Sequence, residues 1–430
     1  MTFRPAGGDT LKPTREAGTM KQRVAISRVE NEDVEAAVRR AIELAGGLRE
    51  LITPCSRVLV KPNIHKPAPS GGGVITDARV TEAVTGVVLE MGPRSVVIGE
   101  GAGAGYDFPG ASTEDSFAES GTLDAARRLG VEVRNLNTDD PREVSVDAPL
   151  VMERVKIART VLESDLVISV PVLKSHIRTH VTISLKNLKG VMPGAEKRKS
   201  HRLGLDMAIA DLYSLVRPGY AVVDATVGMQ GLWQYPQDCV EMGLIVAGRD
   251  PLSVDIVGAS LMGVDLRQVL HLQYAAQKNG TAADLGQIEV VGEPLEKHRR
   301  QFTTGFQAFE ARYPQVRVVQ GESACSGCSG ELVGAMMNMN AAGYSRELEG
   351  LTVVIGNPSD VQAAGKIAVL GKCAKEFAGL GPFAPGCPPK EDVIMRVLCE
   401  ACAVDPDRAM AARDETRRKL RESSAALLKR

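Results

Sequence analysis

The stretch Arg57-Val-Leu-Val-Lys-Pro-Asn63 decides the fold. Its apolar run predicts a buried strand, and Pro62 ends that strand. Upstream, a β-branched run at Val24 to Ile26 predicts a first strand, and residues 31–48 have the spacing of a helix. Strand, helix and strand in this order predict a βαβ unit.

The same alternation continues along the chain. It predicts an α/β fold in which a mostly parallel sheet is covered by helices. In such sheets ligands bind beyond the carboxyl ends of the strands, so the residues just after each strand are candidate site residues. The predicted helices are 77–91 and 123–129, and the predicted strands are 95–99, 131–136, 165–171, 220–224 and 242–248.

The chain divides into four predicted parts. Residues 1–22, rich in glycine, proline and charge, predict a flexible extension, and residues 23–298 form the α/β domain. The pattern is interrupted near residues 298–316, after which residues 316–412 predict a second, smaller α/β domain that contains most of the cysteines. A charged helical tail is expected at residues 413–430.

Composition excludes several classes of protein. The 430 residues are 44% hydrophobic and 24% charged, as in globular proteins, and the formal net charge of −1 provides no overall field for nucleic acid or anionic membranes. The apolar runs are far shorter than the roughly 20 residues that a bilayer requires. The first residues lack the hydrophobic segment of a secretory signal, and we therefore expect a cytoplasmic protein.

The eight cysteines indicate a metal centre. In a reducing compartment thiols serve as metal ligands more often than as disulfides. Cys325-Ser-Gly-Cys328 places two thiolates within one turn, while Cys373 and Cys387 each lie on a loop at the end of a predicted element. Because each iron of a cubic cluster takes one protein ligand, these four cysteines predict a [4Fe-4S] cluster.

Two alternatives for the cysteines stay open. Four thiolates are equally a tetrahedral zinc set, and the pair Cys399 and Cys402 could supply the second tight pair that zinc ribbons usually have. Both residues fall late in a predicted helix, 391–403, where buried packing thiols are an equally good interpretation.

Positive charge is concentrated in the 29 residues from Lys174 to Arg202, which we call the basic segment. It carries eight Lys and Arg residues and one acid, Glu196, together with three of the six histidines. It is predicted to be a loop that follows the strand at residues 166–170, where α/β sheets bind ligands. The segment has no aromatic residue to stack on bases, so a small anion is a better ligand than nucleic acid.

Candidate site residues come from this segment and from other strand ends. Lys174, His176 and His180 are predicted to be catalytic, since histidine titrates near neutral pH and can shuttle a proton. Residues predicted to bind the substrate are Lys61, Asn63, Lys186, Asn187, Lys189, His201, Asp224 and Asp250.

Several of these motifs resemble the domain-of-unknown-function 362 family, often labelled uncharacterised iron-sulfur centre proteins. The resemblance covers roughly residues 23–295 and implies no settled reaction. Many members carry two ferredoxin-type clusters with tightly spaced cysteines, whereas the dispersed cysteines of this chain favour one cluster near the domain interface. The matching segments are Val60-Lys-Pro-Asn63, Val170-Pro-Val-Leu-Lys-Ser-His176, Leu185-Lys-Asn-Leu-Lys-Gly190, Val223-Asp224, Gly228-Met-Gln-Gly231 and Ala247-Gly-Arg-Asp-Pro251 with Asp255.

The leading hypothesis is an iron-sulfur redox enzyme, an oxidoreductase, that acts on a small anionic substrate or cofactor. One alternative is a non-enzymatic electron carrier or maturation factor that docks a redox partner protein through the basic segment. Others are a hydro-lyase that uses an open iron as a Lewis acid, and a zinc-stabilised binding protein. An open sheet edge is also compatible with a homodimer.

Overall fold

A computed structural model describes residues 21–103, 112–233, 236–321, 323–324, 326–362 and 365–427. Nearly all of the predicted flexible extension, as well as Cys325, lies outside these ranges. In the described part of the chain, no helix is both long enough and apolar enough to cross a bilayer.

Short strands alternate with helices over most of the chain. The strands are β1 (Gln22–Arg28), β2 (Arg57–Pro62), β3 (Ser95–Glu100), β4 (Glu132–Asn135), β5 (Arg142–Ser145), β6 (Arg154–Ile157), β7 (Leu166–Val170), β8 (Val172–His176), β9 (His180–Thr182), β10 (Tyr220–Met229), β11 (Cys239–Gly248), β12 (Ile288–Gly292), β13 (Val316–Gln320), β14 (Leu351–Ile355), β15 (Ile367–Leu370) and β16 (Phe383–Ala384).

The helices complete the alternation, and 3-10 turns are present at Leu188–Val191 and Lys372–Leu380. The helices are α1 (Val34–Leu44), α2 (Ala78–Glu90), α3 (Thr113–Glu119), α4 (Thr122–Leu129), α5 (Arg159–Glu163), α6 (Ser184–Asn187), α7 (Gly194–Val216), α8 (Pro251–Leu261), α9 (Leu270–Lys278), α10 (Leu295–His298), α11 (Gly305–Arg312), α12 (Ser326–Ala341), α13 (Glu391–Cys402) and α14 (Pro406–Leu427).

The large sheet has the order β12-β1-β11-β10-β7-β2-β3-β4. Strands β10, β7, β2, β3 and β4 run parallel, whereas β11 is antiparallel to both β10 and β1. Helices pack on both faces, so β2 and β7 are buried along almost their whole length. This arrangement confirms the predicted mostly parallel sheet covered by helices.

A second, smaller sheet follows in the C-terminal part. Its strands β13, β14, β15 and β16 are all parallel, and helices α12, α13 and α14 pack together beside it. Helices α12 and α13 share a core with Leu351 and Val353 of β14. The predicted second α/β unit is therefore present as a parallel sheet with helices beside it.

Local chemistry explains where the principal helices begin. Asp77 caps α2 by accepting a hydrogen bond from the Arg79 N–H, and Asp250 caps α8 in front of a proline at the first helical position. Helix α7 changes direction at Gly204, whose φ of 115° is open to glycine and strained for other residues.

Candidate functional site

The basic segment is not a loop, contrary to the prediction. It folds as the end of β8, then β9, α6, a 3-10 turn and the first half of α7. The reason lies in its apolar residues: Val181, Ile183 and Leu185 are fully buried and draw the segment into the core of the large domain. Lys174 and His176 are therefore buried side chains and not part of a solvated charged face.

Trp233 lies at the centre of the first candidate site. Its ring centroid is 5.6 Å from that of His65 and 5.9 Å from that of His176. Lys174 Nζ lies 4.8 Å from the same ring centroid, donates a 2.7 Å hydrogen bond to the Val74 carbonyl and contacts His65 Nδ1 at 3.3 Å. Lys174 is thus fixed in a pocket of aromatic rings, where an ammonium is attracted to the indole face.

The tautomer of His176 follows from its backbone contacts. Its Nδ1 accepts hydrogen bonds of 3.2 Å from the N–H groups of both Arg178 and Thr179. In the neutral ring the proton is consequently on Nε2. Burial lowers the pKa of His176 well below its usual value, and the charge of Lys186 lowers it further. His176 is therefore a neutral hydrogen-bond donor at physiological pH.

Positive charge is in excess around these rings. Burial is the first cause that lowers the pKa of each of the six basic groups, and for most of them the other cations add to the effect. Two acids oppose it: Glu100 raises the pKa of Lys174, and Asp206 raises that of Lys186. An anion bound here would relieve the mutual repulsion. The six groups are His65, Lys66, Lys174, His176, Lys186 and His201.

Two lysines of this cluster are available to a ligand. Neither Lys66 nor Lys186 has a hydrogen-bond or ion-pair partner among the described residues, and both side chains are partly exposed. Asn63 Oδ1 is buried and likewise accepts no hydrogen bond within the described ranges. We call Lys66, Lys174, Lys186, His65, His176 and Trp233 the anion site.

A buried polar network adjoins the anion site. Lys61 Nζ forms a 2.9 Å ion pair with Glu100 Oε1 and donates a second 2.9 Å hydrogen bond to Asn187 Oδ1. Asn187 in turn donates to the Lys61 carbonyl and to Ser169 Oγ, and Asn63 Nδ2 donates to Asn187 Oδ1 at 3.2 Å. The network joins β2, β3, β7 and α6, so it determines the shape of the site.

Other predicted residues hold the fold together. Lys189 Nζ donates to the Lys197 carbonyl and to the Ser200 hydroxyl, which tightens the start of α7. Asp224 accepts hydrogen bonds from the N–H groups of Asp77 and Thr226. Burial raises the pKa of Asp224 to about 6.

Asp250, His180 and His201 have different surroundings in the structure. Asp250 binds Ser253 and the Tyr213 hydroxyl at the start of α8, away from the cluster. His180 is at the start of β9 with a positive φ of 61°, and burial lowers its pKa. His201 belongs to the cluster. Burial is the main cause that lowers its pKa, and the charges of Lys189 and Lys186 lower it further.

Sequence reasoning did not select Lys66, Asp206, Trp233 or His271. Asp206 Oδ1 accepts from the His271 backbone N–H at 3.1 Å and lies 3.2 Å from His271 Nδ1, and His271 contributes to the lowered pKa of His176. Trp233 is the single tryptophan of the chain and follows β10 closely. Its position after a strand end was the one available signal.

Two loops of the C-terminal part, which carry Cys373 and Cys387, lie side by side. The loops are hydrogen-bonded side by side, from Gly371 N–H to the Ala384 carbonyl at 2.9 Å and from Lys372 N–H to the Gly386 carbonyl at 2.7 Å. A methyl group on Gly371 would lie 2.9 Å from Cys328 Sγ. The Cys328 thiol, at the start of α12, therefore contacts the strand end that leads to Cys373 and lies near the loop that carries Cys387.

No group of three or more His, Cys, Asp or Glu side chains is arranged for a metal among the described residues. Cys328, Cys373 and Cys387 therefore do not form a group of three ligands, and Cys325 lies outside the described ranges. Cys399 and Cys402 are buried in the core of the C-terminal part, and Cys399 Sγ lies 3.4 Å from Met339 Sδ. Burial raises the pKa of Cys399 to about 11, which suits a packing thiol.

The turn between β8 and β9 connects the two regions. Ile177 packs beside Ser329 and Leu332 of α12, and Arg178 donates a 3.3 Å hydrogen bond to Gln320. The same short hairpin carries Lys174 and His176 into the anion site. A single element therefore contacts both the anion site and the helix that begins beside Cys328.

Replacing Lys186 by methionine is expected to stabilise the chain at pH 7 by on the order of 1–3 kcal/mol. Burial lowers the pKa of this ammonium from 10.5 to about 8, so charging it costs more in the folded chain than in the unfolded chain. The energetic cost of the charged Lys186 in the folded chain is complete below pH 8. It disappears as the pH rises toward 10.5, the pKa of this side chain in the unfolded chain. The stabilisation should therefore shrink between about pH 8 and pH 10.5, as measured by urea unfolding.

The matched control is Lys199→Met, because the Lys199 side chain is 42% exposed and is paired with Glu196. It should change the free energy of unfolding by less than about 0.5 kcal/mol at every pH. Destabilisation by Lys186→Met at pH 7 would contradict the assignment of Lys186 as a partly buried, unpaired cation.

Comparison with known proteins agrees with the motifs. Residues 58–260 match the family model described as domain of unknown function (DUF362). A thylakoid-associated protein of Synechocystis sp. is 26% identical over 261 residues, which cover 58% of this chain and 77% of that protein.

Two solved structures align over most of the chain. The lactate racemase apoprotein from Thermoanaerobacterium thermosaccharolyticum aligns with a TM-score of 0.37 and 12% identity, covering 92% of this chain and 80% of that one. A Thermotoga maritima protein from a structural genomics consortium aligns with a TM-score of 0.34 and 11% identity, covering 86% and 82%. The family model and the motifs quoted above agree over residues 58–260, and this part of the chain is similar to the DUF362 family.

Proposed function

We propose that this chain is an iron-sulfur enzyme that acts on a small anionic molecule bound at the anion site. The observation that carries the proposal is the position of Cys328 Sγ beside Gly371, because Gly371 lies next to Cys373 and its strand end is hydrogen-bonded to the loop that leads to Cys387. Thiols delivered by separate loops to one place are typical of cluster ligands.

Four cysteines would hold the cluster: Cys325, Cys328, Cys373 and Cys387. The local chain suits such a group, since Gly371 has no side chain in front of the Cys328 sulfur and any larger residue would collide with it. A [4Fe-4S] cluster bound there would supply one-electron chemistry.

The residues of the anion site would bind and orient the substrate. Lys66 and Lys186 provide charge that is not neutralised within the described ranges, and Lys174 is fixed beside them by Val74 and Trp233. His176 accepts backbone hydrogen bonds at Nδ1, so its neutral ring would donate to the ligand through Nε2. Such an arrangement suits a carboxylate or phosphate group, which accepts several charge-assisted hydrogen bonds at once.

Metal analysis of anaerobically purified protein tests the proposal. The wild-type chain should contain about four iron atoms and a similar amount of sulfide, because a cubic cluster has four of each. Single Cys→Ser changes at residues 325, 328, 373 and 387 should each remove most of the iron, since a lost ligand exposes the cluster. Cys55→Ser is the matched control, because Cys55 is exposed and lies in the other domain.

Two outcomes would contradict the proposal. About one zinc per chain would indicate a structural zinc site. A wild-type chain that contains no metal, or four variants that keep the wild-type iron content, would exclude a cluster at these cysteines. Full iron retention in only one of the four variants would favour the hydro-lyase alternative, in which one iron has no protein ligand.

A further inference from the structure

Lys186 extends from an unusually well anchored piece of backbone. The N–H groups of Ser184 and Leu185 donate to the two carboxylate oxygens of Asp255 at 2.7 and 2.8 Å. On the other side, Asn187 is held by Lys61 and Ser169. The residue between them cannot move without breaking buried hydrogen bonds, so its side chain starts from a fixed point beside the imidazoles.

The side-chain nitrogen of Lys186 is not used by the fold. The other buried lysines of this region each have structural partners: Lys61 binds Glu100, Lys174 binds Val74, and Lys197 binds the carbonyls of Gly101 and Ala102. Lys186 has no such partner among the described residues. It is also the cation that acts on the largest part of the cluster, since its charge lowers the pKa of Lys174, His65, His176 and His201.

An amine in this environment is a nucleophile near neutral pH. Burial lowers the pKa of Lys186 to about 8, so on the order of a tenth of the molecules carry a neutral amine at pH 7. Burial among other cations is a known way to activate a lysine for attack on a carbonyl. The side chain is partly exposed, which leaves the nitrogen accessible to a substrate.

We infer that Lys186 forms an imine with a small carboxylate that also carries a ketone or aldehyde, a 2-oxo acid being the simplest case. This inference rests on the anion site of the proposed function, because Lys66 and Lys174 would hold the carboxylate. The amine nitrogen forms a bond to the carbonyl carbon, and the carbonyl oxygen takes up both amine protons and leaves as water. No oxidant or reductant is consumed, and hydrolysis returns the free lysine.

Reductive trapping tests the inference on the full chain with its metal. The protein is incubated with pyruvate and sodium cyanoborohydride, digested, and examined by peptide mass spectrometry. We expect a reduced adduct at Lys186 that is lost in Lys186→Arg, which keeps the positive charge. The matched control Lys199→Arg should be labelled at residue 186 like the wild type. Equal labelling of exposed lysines, or no adduct at Lys186, overturns the inference.

Malonate separates failure of the imine from failure of the anion site. It has two carboxylates and no ketone, and Trp233, as the single tryptophan, reports its binding by fluorescence. If malonate changes the Trp233 fluorescence and also suppresses the pyruvate adduct, both the anion site and the imine are supported. A malonate response without any trapped pyruvate overturns the imine alone. No response to malonate and no adduct would overturn the anion site together with the imine.

Discussion

Gly190→Ala is expected to lower the free energy of unfolding by more than about 4 kcal/mol, which is enough to unfold many domains of this size. A methyl group at this position would lie 1.8 Å from Glu100 Oε1 and 2.6 Å from Lys61 Nζ, far inside contact distance. Neither partner can move away easily, because the ion pair is almost completely buried. The added carbon must therefore displace a charge from its partner or shift the backbone.

The matched control for this change is Gly86→Ala. Gly86 lies inside helix α2, and an added methyl group would have no atom within 4 Å. Alanine should stabilise that helix by up to about 1 kcal/mol. Urea unfolding of both variants measures the difference, and a loss below about 1 kcal/mol for Gly190→Ala would mean that the Lys61 and Glu100 pair is not packed against this glycine.

Lys61→Met is expected to cost about 3–5 kcal/mol, because it leaves the carboxylate of Glu100 buried without its counter-ion. The side chains of Lys61 and Glu100 are 0% and 2% exposed, so water cannot take over the role of the ammonium. The backbone N–H groups of Ile64 and Gly101 still donate to Glu100, and they soften the loss without removing it. Urea unfolding at neutral pH measures this loss.

The double variant Lys61→Met with Glu100→Gln is the informative comparison. It removes both charges and should recover part of the stability lost in Lys61→Met, as expected for partners in one network. As a surface control, Arg127→Met breaks an ion pair to Asp124 whose side chains are 69% and 64% exposed. That change should cost less than about 1 kcal/mol. Equal losses in Lys61→Met and Arg127→Met would contradict the buried-pair assignment.

The ion pair between Lys61 and Glu100 also matters for ligand binding. The pair of Lys61 and Glu100 joins β2 to β3, and the same network reaches Asn187 beside Lys186. A buried ion pair is weak evidence for stability, yet it can specify one arrangement of the elements around it. In this chain the arrangement holds the backbone under Lys186. We therefore expect the Glu100→Gln variant, which leaves the Lys61 ammonium buried without its counter-ion, to weaken malonate binding as well as to lower stability.

From the sequence alone, the class of fold and most elements could be predicted. Runs such as Val58 to Val60 and Leu166 to Val170 have no polar face, and a strand buried on both sides is the structure that such runs favour. The resemblance to the DUF362 family was likewise visible, because its motifs are short and contiguous. The cluster of Lys174, His176 and Lys186 could be selected because its members are neighbours in one segment.

Only the tertiary structure decided which distant residues meet. The antiparallel direction of β11 and the contacts of Trp233 with His65 and His176 join parts of the chain that are far apart in sequence. The spacing of apolar residues predicts which side of a helix or strand is buried, but it does not predict which other element packs against that side. For the same reason, charge counting marked the basic segment as a loop, whereas the burial of Val181, Ile183 and Leu185 brings it into the core. Burial there lowers the pKa of Lys174, His176 and Lys186.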